Sequence, residues 1–295
     1  MTDEAKEKPI EGQSRPEGRG LEARYFEFLA GMGITKHMGS MHSTEALIEA
    51  CNIGPGHQVL DIGCGVGITP CYLAKRIDCR VVGIDITPQM IAKSQARAKQ
   101  MGVAKRVEFR VADARDLPFD EGAFDAVIVE SLLVFLAEKE QAIREFTRVC
   151  KAGGFVGLNE MTLLQEPAPP KLVAYFEHTT GMKGPPPTVT AWRALLESAG
   201  LEEVTAQGYQ VTIRDEAKGR LKRFRFRDYT DSIGWLLRMY ITDSETREFL
   251  KQISTGTKLL TRDLFESLGY GISVGRKGRP SAALLSQANS GSSCA

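Results

Sequence analysis

The sequence lacks the features that mark membrane-spanning, secreted and strongly charged proteins. Its longest apolar stretch, Ala123 to Ala137, is interrupted by Asp125 and Glu130 and is shorter than the ~20 residues that a membrane helix needs. The amino-terminal residues alternate in charge and contain no apolar core of a secretory signal. Lysine plus arginine (38) nearly balances aspartate plus glutamate (37), which leaves a net charge of +1. We therefore expect a cytoplasmic protein with no transmembrane segment and no nucleic-acid partner.

Closely spaced cysteine pairs are also missing. The six cysteines are Cys51, Cys64, Cys71, Cys79, Cys150 and Cys294. No two of them form a C-x-x-C pair, and most fall in segments predicted to be core elements. This arrangement favours reduced thiols over a disulfide framework or a zinc site. We expect no bound metal.

The clearest motif that is present is a glycine-rich turn after a short apolar run. Residues Val59 to Thr69 read V-L-D-I-G-C-G-V-G-I-T, and the run from Gln58 to Ile62 is typical of a strand buried on both faces of a parallel sheet. The glycines at alternate positions are Gly63, Gly65 and Gly67. They allow the backbone to turn tightly and to approach a ligand closely. Thr69 and Pro70 then predict the N-cap and first turn of a helix.

The spacing of these glycines distinguishes this turn from a dinucleotide-binding loop. A dinucleotide fingerprint, G-x-G-x-x-G, requires a third glycine where this chain has Ile68. Asp61 stands where a carboxylate would repel a diphosphate but attract an ammonium group. The pattern D-x-G-x-G-x-G therefore indicates an adenosine cofactor other than a dinucleotide.

Acidic residues also follow the later predicted strands. The strands and their acids are, in order, Arg80–Ile84 with Asp85, Val107–Val111 with Asp113, and Phe124–Val129 with Glu130. Thr87 and Pro88 predict the start of a helix that stops at Gly102. Another helix, from about Glu138, is expected to stop at Gly153–Gly154. Ligands of doubly wound sheets bind at the carboxyl ends of the strands, which is where these acids stand.

In this order and spacing, the motifs resemble those of the class I S-adenosylmethionine (SAM)-dependent methyltransferases. The resemblance covers roughly residues 45 to 215 and includes the R-V-C-K-A-G-G turn from Arg148. It implies SAM as the cofactor and an α/β fold with a doubly wound, seven-stranded, mainly parallel, Rossmann-like sheet. It also implies that Asp85 accepts hydrogen bonds from the ribose hydroxyls and that Asp113 accepts one from the adenine amino group. Glu130 is implied to lie beside the methionine part of the cofactor. The implied cofactor-binding residues are Asp61, Gly63, Cys64, Gly65, Gly67, Asp85, Ile86, Met90, Asp113, Ala114 and Glu130.

Methyl transfer from a sulfonium needs few protein groups. The leaving thioether is neutral, so positioning and exclusion of water account for most of the acceleration. A general base is needed only if the acceptor holds its proton. The candidate catalytic residues are Glu160, His37 and His178. The alternatives are a structural carboxylate for Glu160 and ordinary loop residues for His37 and His42.

The residues after the fourth strand restrict the class of acceptor. They read Glu130-Ser131-Leu132-Leu133, whereas family members that methylate exocyclic amines of bases carry an N-P-P-Y-type motif there. This departure argues against an adenine-N6 enzyme.

Outside the core, the sequence predicts two tails and two helical additions. Leu21 to about residue 45 should form a helical lid. About fifty-five residues separate the sixth strand from the last one, and Tyr229, Ile233, Leu236 and Tyr240 share one face of a predicted helix there. We expect the lid and this insertion to roof the methyl-transfer pocket. The predicted units are tails at 1–20 and 280–295, a lid at 21–45, a core at 46–214, a cap at 215–268 and a final strand at 269–279.

A basic stretch, K-G-R-L-K-R-F-R-F-R from Lys218, opens the predicted cap. It is compatible with a nucleic-acid platform, with a surface for anionic lipid or an acidic substrate, or with a solvated edge segment whose phenylalanines point inward. We favour the last interpretation, and contact with a membrane surface remains an alternative.

The sequence as a whole predicts a SAM-dependent methyltransferase that acts on a small, apolar or amphipathic metabolite of the quinone, lipid or natural-product type. Two alternatives remain. A protein or RNA methyltransferase would present an open groove, and a SAM-binding accessory protein would bind the cofactor without turnover. The acceptor atom and the oligomeric state are left open.

Overall fold

The computed structural model describes residues 21–32, 38–180, 182, 184–211, 226–257 and 266–279. Their strands form a seven-stranded sheet in the order β3-β2-β1-β4-β5-β7-β6. The strands are β1 (Gln58–Ile62), β2 (Arg80–Asp85), β3 (Val107–Val111), β4 (Phe124–Glu130), β5 (Cys150–Leu163), β6 (Leu201–Gln210) and β7 (Leu268–Lys277).

The strand order creates a ligand-binding crevice beside β1. Strands β3, β2, β1, β4 and β5 run parallel, while β7 is antiparallel to both β5 and β6. The chain builds outward from β1 to β3 and then returns to place β4 on the other side of β1. At such a reversal the loops after the two central strands separate and leave a crevice at their carboxyl ends. The doubly wound α/β fold expected from the sequence is confirmed.

Helices cover both faces of the sheet. They are α1 (Leu21–Met32), α2 (Ser40–Ala50), α3 (Ile68–Tyr72), α4 (Pro88–Met101), α5 (Lys139–Val149), α6 (Pro170–Thr179), α7 (Val189–Ser198), α8 (Phe226–Thr242) and α9 (Ser244–Thr257). Successive strand residues point to opposite faces. Val59 therefore joins the apolar cluster that contains Leu47 of α2 and Ile91 of α4. Leu60 joins the cluster that contains Phe146 of α5 and Trp192 of α7.

The helix after the glycine-rich turn begins two residues earlier than the sequence suggests. Its N-cap is Gly67, in the left-handed conformation with φ 75°, and its first residue is Ile68. Thr69 does not cap the helix, because its hydroxyl donates to Glu130 instead. The predicted N-cap was therefore wrong, although the predicted turn into a helix is present.

Strand β5 also begins earlier than expected. Helix α5 ends at Val149, and Cys150 already pairs with Phe124 of β4. A register irregularity between Phe124 and Ala126 absorbs the extra residues, as a β-bulge does. The segment predicted as a turn, Arg148 to Gly154, is thus mostly the start of a long strand.

The boundary predicted between lid and core, at residues 45 and 46, falls inside α2. This helix packs on β5, where a Cβ atom added to Gly157 would lie 2.3 Å from Cys51 Sγ and 2.8 Å from Leu47 Cδ1. Because glycine at 157 lets the helix approach the strand closely, α2 belongs to the core. Among the described residues the lid therefore consists of α1.

The cap comprises two helices that pack together and against α1. Helix α8 contacts α1 and α9, and α9 contacts α6, a helix that the sequence reading did not anticipate. The final strand begins at Leu268, one residue before the predicted boundary. No helix in the described ranges is long and apolar enough to cross a membrane.

Candidate functional site

The glycine-rich loop lies at the carboxyl end of β1 and has a left-handed backbone at each of its three glycines. The φ angles are 72° at Gly63, 53° at Gly65 and 75° at Gly67. Side chains with a Cβ atom rarely adopt such angles, because the Cβ approaches the following carbonyl oxygen. This backbone accounts for the alternation of glycine in the motif.

Two of these glycines are also required by packing within the protein. A Cβ atom at Gly67 would lie 2.9 Å from Ser94 Cβ and 3.1 Å from its backbone Cα, and one at Gly63 would lie 3.0 Å from Leu132 Cδ2. The sequence predicted a tight turn and close approach of a ligand as the reasons for all three glycines. A Cβ atom at Gly67 would clash with Ser94, and one at Gly63 would require Leu132 to shift by a few tenths of an ångström.

Helix α4 holds the loop in place. The Ser94 hydroxyl donates to the Gly65 carbonyl at 2.6 Å, and Arg97 Nε donates to the Val66 carbonyl at 2.9 Å. Sequence analysis did not single out either residue. A signal was present for Ser94, since this polar residue stands on the buried face of α4 with Met90, Ile91 and Ala98.

Asp85 connects the loop to the start of α4. Its Oδ2 accepts the backbone N–H of Gly65 at 3.1 Å, and its Oδ1 accepts that of Thr87 at 2.9 Å. Burial raises the pKa of Asp85, although both backbone donors favour the carboxylate. A carboxylate oxygen accepts more than one hydrogen bond, so this geometry fits the predicted contact with ribose hydroxyls.

An apolar surface suited to a flat ring adjoins Asp85. Ile86 and Val111 are large apolar residues that stay 62% and 52% exposed, and Val111 is the register partner of Asp85. Exposed apolar side chains next to convergent polar groups are typical of ligand sites. The carboxylate acceptor and the apolar surface together fit an adenosine group.

Asp113 and Ala114, the residues implied for adenine binding, lie just beyond β3. Arg115 donates to both carboxylate oxygens of Asp113, at 3.0 and 2.8 Å, and these hydrogen bonds lower the pKa of Asp113. Arg115 also pairs with Glu138 at the start of α5. Ala114 is buried in the core. The arginine was not anticipated, and it keeps Asp113 ionised and oriented.

Glu130 forms the centre of a polar network beneath α2 and α3. Its Oε1 accepts from Thr69 at 2.7 Å, and its Oε2 accepts from Thr44 at 2.8 Å and from Asn159 at 3.0 Å. These donors come from α2, α3 and β5, so the carboxylate joins three elements at the crevice. The place of Glu130 beside the methionine part of the cofactor stays a prediction.

Glu160 directly follows Asn159 on β5 and is fully buried. Its Oε1 accepts the backbone N–H groups of Leu132 and Leu133 at 2.9 and 2.8 Å, and its Oε2 accepts that of Val134 at 3.2 Å. Burial raises the pKa of Glu160 to about 7, although these donors and the charge of Lys139 act to lower it. Because both oxygens hold the turn after β4, the geometry fits the structural alternative better than a general base.

Of the three histidines considered above, two are exposed and one lies outside the residues that the structure describes. His37 falls outside the described residues, and His42 is exposed on α2. His178 is exposed on the last turn of α6, beside Gly256 of α9, and its carbonyl accepts from Gln252 at 2.9 Å. His178 is thus exposed beside the cap, whereas Glu160 is buried in the sheet. Within the described ranges, no group of three His, Cys, Asp or Glu side chains could hold a metal ion.

The remaining residues that the family resemblance implies for cofactor binding are buried or form backbone hydrogen bonds. Asp61 is 3% exposed near the end of β1. The Cys64 backbone N–H donates to the Ile84 carbonyl at 2.8 Å, and burial raises the pKa of the Cys64 thiol. Met90 is buried in a small cluster with Ala30 of α1 and Val66 of the loop. This cluster links α1, α4 and the glycine-rich loop.

Helix α1 also contacts the cap and the turn after β4. The Phe28 ring lies 5.8 Å from that of Trp235 on α8 and 5.3 Å from that of Phe249 on α9. The Tyr25 ring lies 5.7 Å from that of Phe135, in the turn that Glu160 holds. Tyr240, which was predicted to share one face of the cap helix with Tyr229, Ile233 and Leu236, is 54% exposed. The basic stretch from Lys218 lies almost wholly outside the described residues.

Comparison with known proteins assigns this arrangement to a family. Residues 60–158 match a family model described as a methyltransferase domain. Phosphoethanolamine N-methyltransferase 1 of Arabidopsis thaliana is 30% identical over 221 residues, which cover 71% of this chain and 44% of the plant protein. The chain thus spans less than half the length of that relative.

Two solved structures share the fold. The [4+2]-cyclase SpnF has a TM-score of 0.65 at 22% identity, covering 88% of this chain and 93% of the cyclase. Phosphoethanolamine N-methyltransferase 2 of Haemonchus contortus, in complex with phosphomonomethylethanolamine and S-adenosylhomocysteine, has a TM-score of 0.63 at 17% identity, covering 86% of this chain and 57% of that one. Residues 60–158, with the glycine-rich loop and Asp85, therefore form a class I SAM-dependent methyltransferase domain, whose cofactor is SAM.

Proposed function

We propose that this protein transfers the methyl group of SAM to a small, apolar or amphipathic metabolite by in-line displacement. The observation that carries the proposal is the position of α1. Its Ala30 shares a buried apolar cluster with Val66 of the glycine-rich loop, and the ring of its Phe28 contacts those of Trp235 and Phe249 in the cap. One helix thus spans from the cofactor loop to the cap, which supports an enclosed pocket rather than an open groove.

The residues that would hold SAM are those at the carboxyl ends of the first four strands. Asp85 would accept from the ribose, Ile86 and Val111 would contact the adenine ring, and the loop from Gly63 would face the methionine part. SAM supplies the activated methyl group. The chain's own residues orient the two reactants and exclude water, effects worth roughly 7 to 11 kcal/mol when alignment is good.

Two observations support the proposed class of acceptor: the names of the relatives and the side chains of the cap. The plant and nematode proteins are named for phosphoethanolamine, a small molecule, and this supports a small acceptor here. The cap presents aromatic and aliphatic side chains, which favour an acceptor with an apolar part. Tyr25, Trp235 and the turn after β4 would form its wall.

A second candidate is a protein that binds SAM without transferring its methyl group. It is favoured by one observation, the TM-score of 0.65 to a structure named as a cyclase, since a shared fold does not determine chemistry. A protein or RNA methyltransferase finds less support, because the helices of the lid and cap pack together at the crevice.

The test is transfer of label from methyl-labelled SAM. The purified chain is incubated with small-molecule, protein and RNA fractions of a cell extract, and an Asp85→Ala variant serves as the control. We expect label in the small-molecule fraction with the wild type alone. Label in protein or RNA would contradict the proposal. Tight SAM binding without transfer to any fraction would favour the second candidate.

A further inference from the structure

Lys93 on α4 forms the polar contact between this helix and the lid. Its Nζ donates to the carbonyl oxygens of Ala30 at 2.7 Å and Gly31 at 3.0 Å, both in the last turn of α1. Carbonyls at the end of a helix lack intrahelical partners and carry partial negative charge. An ammonium group is therefore well placed to bind them.

The same helix holds the cofactor loop. Ser94 and Arg97 donate to the carbonyls of Gly65 and Val66, and Met90 shares an apolar cluster with Val66 and Ala30. One face of α4, formed by residues three and four apart, thus contacts both the loop and the lid. A ligand that fixes the loop also fixes the surface on which α1 lies.

We propose that Lys93 is a positioning residue that holds α1 closed over the bound cofactor, so that release of the cofactor requires its two hydrogen bonds to break. The proposal rests on the proposed function only for the location of the cofactor. It distinguishes Lys93 from residues that merely stabilise the fold, because it predicts an effect on release rate and on ligand-dependent protection of one helix.

The experiment uses S-adenosylhomocysteine, the demethylated product, as the probe. Lys93→Met keeps the unbranched stem but removes the charge and the donors, and Lys93→Arg restores both. Lys99→Met, an exposed lysine on the same helix, is the matched control. Stopped-flow displacement gives the rate of release, and hydrogen exchange of residues 21–32 is measured with and without the probe. Exchange in β1 and β4 reports whether each variant is folded.

We expect Lys93→Met to release the probe about tenfold faster, the effect of losing a charged hydrogen bond, and to lose the protection of residues 21–32 that the probe confers. Lys93→Arg should restore most of both, and Lys99→Met should match the wild type. Wild-type release and protection in a folded Lys93→Met would overturn the proposal. Complete loss of binding would also overturn it, since Lys93 would then belong to the cofactor site itself. Neither measurement needs an acceptor, so absence of methyl transfer would leave this result intact.

Discussion

The carboxylate of Asp85 lies 3.1 Å from the backbone nitrogen of Gly65, whose N–H it accepts. A side chain at the end of β2 therefore fixes the middle of the glycine-rich loop at the end of β1. The contact joins the segments that follow β1 and β2, and it sets the orientation of the carboxylate toward a ribose.

Asp85→Ala should weaken binding of S-adenosylhomocysteine by about 1.5 to 3 kcal/mol, the range for hydrogen bonds to charged groups. Titration calorimetry measures this change. Asp120→Ala, at an exposed aspartate between β3 and β4, is the control and should bind like the wild type. Equal affinities for all three proteins would remove Asp85 from the site.

Gly67→Ala should lower the free energy of unfolding more than Gly56→Ala does. Both positions have positive φ, 75° and 78°, so either substitution by alanine costs about 1 to 2 kcal/mol in the free energy of unfolding. A new Cβ atom at Gly67 meets Ser94 and Phe109, whereas one at Gly56 meets no atom within 4 Å. Overpacking of this kind adds ~1 to 3 kcal/mol. Urea denaturation compares the two, and equal losses would show that packing at Gly67 is unimportant.

Glu160→Gln should change the pH dependence of stability. Burial raises the folded-state pKa of Glu160 to about 7, so the folded protein binds a proton more tightly than the unfolded chain. The stabilisation from this group is present below its usual pKa and is lost as pH rises toward 7, by about 3 kcal/mol at most, since one pKa unit corresponds to ~1.4 kcal/mol.

Glutamine does not titrate, so the variant should gain stability relative to the wild type between pH 5 and pH 8. Urea denaturation at several pH values measures the difference. A difference that is independent of pH would show that Glu160 titrates outside this window.

Phe28→Ala should loosen the lid while leaving the core strands unchanged. The ring forms two aromatic pairs, each worth ~0.5 to 1.5 kcal/mol, so their loss should raise the open population of α1 by about tenfold. Hydrogen exchange of residues 21–32 measures the change. Tyr240→Ala, at an exposed ring on α8, is the control, and equal exchange in both variants would contradict a role for Phe28.

The sequence predicted the features that depend on local backbone chemistry. The glycine pattern, the acid at Asp85 and the helix between Thr87 and Gly102 each follow from φ preferences and capping within a few residues. The structure has the doubly wound sheet that these motifs predict. Strand ends were less well placed, because pairing with a neighbour can extend a strand, as β5 does at Cys150.

The features that the sequence did not predict depend on contacts between distant segments. Thr69 looked like a cap, but an acceptor at Glu130, 61 positions away, takes its hydroxyl. Glu160 looked like a candidate base, but three amides of the turn after β4 surround it. In both cases the local pattern was compatible with two roles, and tertiary hydrogen bonds selected one.

The packing of Leu132 on Gly63 has a consequence for how acceptor specificity could change. Leu132 follows β4, on the side where an acceptor would lie, yet its side chain fills the space beside a glycine of the cofactor loop. Substitutions at this position would alter both binding sites at once. Natural or engineered changes in specificity should therefore accumulate in the cap helices rather than in this shared wall.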